Sequence, residues 1–229
     1  MEAHLSLSLP DQIVLLLHGP TGRPFVGVNR NVVTPAAEAA ELVMHGRAQL
    51  SRTAFGTVKI GLLDRTPIGV EALDRPLSTL VGRTGHTPKP ISLYSWMTQR
   101  RTAFEEHRWS LNGRGYLQYR PDKMLGFIPY DRYLPHNAAR QTLIGEFTQL
   151  ARGERELNDR LALLVAIAYP SGLYRQFVSD RGQSRRLKHI AKGHLLEGAV
   201  SAAVAATGAA IAGAVGGGGG DGGGDGGGG

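Results

Sequence analysis

No cysteine occurs among the 229 residues, and that absence removes disulfides, thiolate zinc sites and a cysteine nucleophile together. Aromatic residues are sparse at 7%, and 19 acidic residues face 26 Lys and Arg, for a formal charge of +7. Two of the acids, Asp221 and Asp225, lie in a terminal glycine tail, so residues 1–215 carry +9. A surface that basic favours polyanions, either lipid head groups or nucleic acid. Long apolar runs are also missing. Residues 13–17 are too few to span a bilayer, and the uncharged stretch 198–215 has nine alanines and three glycines where a spanning helix needs about 20 strongly apolar residues. A small-residue helix packed tightly against its neighbours is expected there. The start, MEAHLSLSLPDQ, lacks the basic region of a signal peptide.

Catalytic signatures are missing as well. There is no nucleophile elbow, no His-Glu-x-x-His and no phosphate loop; Gly19, Gly22 and Gly27 have the wrong spacing for one. The eight histidines are dispersed, and Glu105 with Glu106, or Glu154 with Glu156, lie in charge-mixed helical stretches where solvated faces are the common case. The chain therefore reads as non-enzymatic, without a metal or cofactor.

The remaining sequence reads as mainly α. Leu9–Leu17 opens as a helix with Asp11 in its first turn. His18 to Pro24 breaks it, and Thr34-Pro35 caps a second helix ended by Gly46. Residues 48–63 alternate like a two-stranded piece, residues 70–81 and 92–111 read as helices, and 82–90 as a loop. Helices at 137–150 and 156–169 follow, the second apolar enough to be central, with 173–177, 185–191 and 194–215 completing the helical set. The expected architecture is one domain over residues 1–215, a central helical bundle surrounded by amphipathic helices with one or two small β-hairpins. Residues 216–229 read as a disordered glycine-rich tail.

One hairpin stands out. In residues 114–135, RGYLQYRPDKMLGFIPYDRYLP, two β-prone runs flank a Pro-Asp turn, and Met124, Leu125, Phe127 and Ile128 are nearly adjacent. Four large apolar groups in five positions mean that both faces are covered, or that one meets something apolar outside the protein. Eight cations, Arg100, Arg101, Arg108, Arg114, Arg120, Lys123, Arg132 and Arg140, surround it, which suits anionic lipid: arginines on phosphates, hydrocarbon on acyl chains. A helix, a glycine and a hairpin also outline a winged helix, a nucleic-acid-binding regulator with Arg100, Arg101 and Arg108 on the duplex. The apolar tip argues against a wing, and a second basic stripe at Arg185, Lys188 and Lys192 serves either reading.

Six motifs in order, LPDQIVLLLHGPTGRP, ELVMHGRAQL, DRTPIGVEALD, SWM, NGRGYL and LALLVAIAYPSGL, resemble the Golgi phosphoprotein 3 family, in its bacterial branch. The resemblance implies a non-enzymatic peripheral adaptor on the cytoplasmic face of a membrane. It would bind phosphatidylinositol 4-phosphate or another anionic head group, with protein cargo as a further partner and residues 116–130 as the inserting hairpin. The family's head-group residues fall at Val26, Pro35, Arg101 and Phe104, so only Arg101 matches, with Arg23, Arg30 or Arg100 as substitutes from nearby positions.

Overall fold

The computed structural model describes residues 7–85, 89–124, 127–194 and 198–216. Helix α1, Leu9–Leu17, is buried along its whole length, polar Asp11 and Gln12 included. Ser8 accepts from the Asp11 amide, and the Leu9 amide donates to Glu41 Oε2 at 2.7 Å, so the open amides at the helix start are met from two sides. Helix α2, Arg30–Met44, begins one turn before the expected Thr34 cap. Asn29 accepts from the Asn31 amide, and Pro35 is carried inside the helix.

Strands β1, Ala48–Arg52, and β2, Val58–Leu62, pair antiparallel with Ala48 opposite Leu62, and a third strand, β3, Ile91–Ser92, joins β2. Helix α3, Glu71–Thr84, lies between them in the chain. The single helix expected over 92–111 is two, α4, Leu93–Gln99, and α5, Ala103–Gly113, separated by a turn at Arg100 to Thr102. Strands β4, Leu117–Met124, and β5, Ile128–Pro135, form a separate two-stranded hairpin. Then come α6, Asn137–Arg152, α7, Asp159–Ala168, a 3-10 turn Leu173–Gln176, α8, Arg181–Ala191, and α9, Gly198–Gly216. The fold is mainly α with two small antiparallel sheets, as expected.

The core is built on α1, α2 and α7. Leu161 to Ala168 are all buried, and α9 lies across α7, α2 and β1. Close approach there depends on small residues: a Cβ at Gly208 would stand 3.0 Å from the Ala191 carbonyl oxygen. Truncating any of the fully buried leucines of α1 removes about 2–5 kcal/mol of stability.

Charges also lie inside this core, and they are paired. Arg100 turns inward from the α4–α5 break, with Nε 3.0 Å and NH2 2.6 Å from the two Glu38 oxygens and NH2 2.7 Å from Glu106. Glu38 is fully buried, as is His107, which stands between Asp11 (2.8 Å) and Glu38 (3.3 Å). Arg114 closes the row on Asp11 at 2.7 Å. Burial works against a charged imidazole at His107, but its bonds to Asp11 and Glu38 overcome that and raise the pKa to about 9. Burial likewise opposes ionisation of Asp11, yet His107 and Arg114 hold its carboxyl below the usual range. The network ties α1, α2 and α5 together and fixes where the hairpin leaves the core.

A candidate membrane-contact site

The hairpin is anchored at its base and exposed at its end. Leu117 and Tyr133 are buried, whereas Phe127 at the turn is 73% exposed. Met124 pairs with Ile128 across the ladder. Leu125 lies outside the described residues, as does the glycine tail from residue 217 on.

A loop from the end of α1 braces the hairpin. His18 bridges to Pro24, and the Gly19 amide donates to the Arg23 carbonyl, curling residues 18–25 into a tight turn. The Tyr133 amide then donates to the Gly22 carbonyl at 2.9 Å, and Arg132 Nε to the Thr21 carbonyl at 2.7 Å. Gly22 has φ +78°, and a Cβ there would stand 3.1 Å from the Tyr133 carbonyl carbon, so the contact requires glycine. Arg23 lies over the Tyr130 ring at 4.5 Å and donates to its hydroxyl. Tyr130 in turn donates to Asp122 Oδ2 at 2.7 Å, where Arg132 also binds at 2.9 Å. The Tyr130 hydroxyl, then the Lys123 amide and Arg132, lower the Asp122 pKa to about 2. These polar ties run along the strands and leave Phe127 beyond them.

The four arginines expected at a head group each have a different partner in the fold. Arg101 is exposed, its Nε donating to the Thr98 carbonyl; Arg23 is exposed on Tyr130; and Arg30 is exposed over the Phe104 ring at 4.9 Å. Arg100 must be set apart from them: it is 6% exposed and its fork is taken by Glu38 and Glu106, so it offers nothing to an outside anion. The same inward turn speaks against the duplex-facing set of the winged-helix reading, because α5 packs on α1 and α2 and Arg108 lies over Tyr133. What the sequence did not group is Arg30 with Arg108 and Arg140. They stand on three different helices, yet all three charges act on His18. Val26, where the family resemblance places a tryptophan, is 98% exposed in the bracing loop.

Among the described residues no cluster of three His, Asp or Glu side chains gathers as metal ligands would, and no helix is long and apolar enough to cross a membrane. The family model for Golgi phosphoprotein 3 (GPP34) matches residues 9–207. The chain belongs to that family. Golgi phosphoprotein 3 proteins are non-enzymatic adaptors associated with Golgi membranes and known for lipid binding, phosphatidylinositol 4-phosphate included. No curated protein sequence matches the chain.

Proposed function

We propose that the protein is a peripheral adaptor that docks on the cytoplasmic face of an anionic membrane, the hairpin tip entering the acyl region while exposed cations meet the head groups. Head groups carrying a phosphate like that of phosphatidylinositol 4-phosphate are the preferred lipids, and protein cargo is the further partner. The observation that carries the reading is Phe127, 73% exposed at the end of a hairpin braced by the 18–25 loop. A solvent-facing aromatic on a flexible loop would be unremarked; one held out on a braced strand pair is pre-organised for an apolar phase. Burying Phe127 contributes about 2 kcal/mol, and Arg23, Arg101, Arg120 and Lys123, all exposed, add about 1 kcal/mol each near an anionic surface.

Vesicle flotation tests this. The protein is expected to float with vesicles containing acidic phospholipid, and less so as salt rises. Phe127→Asp is expected to lower the bound fraction by roughly tenfold or more without unfolding the protein. Indifference to acidic vesicles, or an unchanged Phe127→Asp variant, sinks the reading. A steeply salt-dependent shift of duplex DNA would favour the nucleic-acid alternative instead.

A further inference from the structure

Several surface cations of this protein are answered by an acid close by. Arg75 pairs with Glu71 on α3, Arg108 with Glu105 on α5, and Arg155 with Glu146 of α6. Helix α8 has no such acid of its own. Residues 181–194, RGQSRRLKHIAKGH, hold five Lys and Arg and neither Asp nor Glu. Leu187, Ile190 and Ala191 turn into the core, so Arg181, Arg185, Lys188 and Lys192, at i, i+4, i+7 and i+11, share the outer face and are all exposed. Among the described residues none of these four has an ion pair or a side-chain hydrogen bond. Arg186 is set apart from them, its Nε donating to the Leu150 carbonyl at 3.0 Å. Folding gains nothing from such a stripe. Like charges one turn apart repel, and Arg181, in the first turn, opposes the helix dipole.

A cleft opens where the stripe begins. It measures about 450 Å³ and is lined by Tyr174, Arg175, Val178, Arg181, Ser184 and Arg185. Its floor is apolar: Val178 is buried, and Tyr174, buried too, stacks on Tyr169 with centroids 4.7 Å apart. Its rim is cationic. Asp180 also lines it, but its Oδ1 is taken by the Gln183 amide at 2.8 Å. The Ser184 hydroxyl, and then Arg175, bring the pKa of the Tyr174 hydroxyl below its ordinary value, in keeping with that rim.

We infer that the outer face of α8 and the cleft at its start form a docking surface for an extended acidic segment of a protein partner. The four cations span about 16 Å along the helix. In an extended chain, side chains on one face recur about every 6.6 Å, so acids at alternate positions come opposite the four cations in turn, and the long Arg and Lys stems take up the difference. An apolar side chain at the end of the acidic run then settles on Tyr174 and Val178. A bilayer surface or a duplex presents phosphates but nothing that fills a cleft with an apolar floor. The stripe is also remote from the hairpin: Arg186 ties α8 to Leu150, about 20 Å along α6 from Asn137, where β5 hands over to that helix. The surface goes beyond the membrane reading and stands if that reading fails.

The test follows the fluorescence anisotropy of a labelled peptide, four Glu alternating with Ser and a Phe at each end, titrated with the full chain. Saturable binding that weakens as salt rises is expected for the wild type, and Phe127→Asp is expected to bind equally well. Arg185→Glu combined with Lys188→Glu is expected to bind roughly tenfold more weakly or worse. Arg120→Glu combined with Lys123→Glu, the same change of net charge placed on the hairpin, is expected to stay within about twofold of the wild type. The thermal transition of each variant verifies that it is folded. A peptide with Gln in place of Glu is expected not to bind, and one without the Phe ends to bind roughly tenfold more weakly. If the two double variants weaken binding alike, the attraction is one of general charge and the surface is refuted. Absence of binding by the wild type, or equal binding of the Gln peptide, refutes it as well, and indifference to the Phe ends overturns the place of the cleft. If the peptide never binds and the α8 variant instead loses flotation on acidic vesicles or a shift of duplex DNA, the stripe belongs to lipid or nucleic acid and the inference falls. Failure of the membrane reading shows separately, as intact peptide binding with no flotation on any acidic vesicle.

Discussion

Two charged regions share α1 and α5, and they are built in opposite ways. Asp11, in the first turn of α1, belongs to a row in which Glu38, His107, Arg100, Glu106 and Arg114 each face an opposite charge. His18, just past the other end of the same helix, faces the charges of Arg30, Arg108 and Arg140, of which Arg108 pairs with Glu105. His107 and Arg108 are consecutive residues of α5, yet one is locked between two carboxylates and the other lies over an aromatic ring. A balanced interior row fastens helices to each other. A cluster with an excess of one sign adds to the cost of burial instead.

The sharpest way to break this contrast is to unbalance the balanced row. Glu38→Ala leaves Arg100 and His107 buried beside a lost carboxylate, and urea unfolding is expected to show a loss of about 3–5 kcal/mol. The next effect is a pH dependence. His107 has its pKa raised from 6.5 to about 9, so its stabilisation is complete below pH 6.5 and disappears as pH rises through 9. At about 1.4 kcal/mol per unit, that is on the order of 3 kcal/mol. On the acid side Asp11, with a lowered pKa, loses its contribution as it protonates, and His18, neutral when folded, destabilises below pH 6.5. The thermal midpoint should therefore peak close to pH 6.5 and fall in both directions; His107→Gln should flatten the alkaline limb. In the unbalanced cluster the sign reverses. Arg140→Met is expected to raise the stability of the protein by about 1 kcal/mol, because it removes a buried guanidinium that has ring contacts but no counter-charge among the described residues. The smallest effect belongs to a cation outside both regions: Arg101→Ala should change stability by less than about 0.5 kcal/mol while weakening flotation on acidic vesicles.

Local signals were legible in the sequence and distant ones were not. The limits of α1 follow from Ser8, Pro10 and Asp11 at one end and the glycine–proline turn at the other, all within a few residues. The hairpin was equally plain from its β-prone runs. The break between α4 and α5 was not, because its cause is Glu38, 62 residues earlier, which draws Arg100 inward. Strand β3 has two residues and exists because β2 offers it an edge. Pro35 looked like a first-turn proline, but Asn29 supplied an earlier cap. Around His18, the sequence marked Arg108 and Arg140 as cations around the hairpin and Arg30 as a substitute at the head-group pocket. Their meeting at His18 depends on how three helices pack, and no spacing along the chain encodes that.

The contact at Gly22 has a geometric consequence. Because Tyr133 is tied both to the bracing loop and to the floor of the cation cluster, the tip cannot slide relative to that cluster. Tyr133 lies six positions after Phe127, which at about 3.3 Å per strand residue is a span of about 20 Å. The strand pair therefore acts as a ruler of fixed length: whatever depth Phe127 reaches, Tyr133 and the bracing loop stand about 20 Å behind it, which sets how far from that surface the rest of the molecule is held.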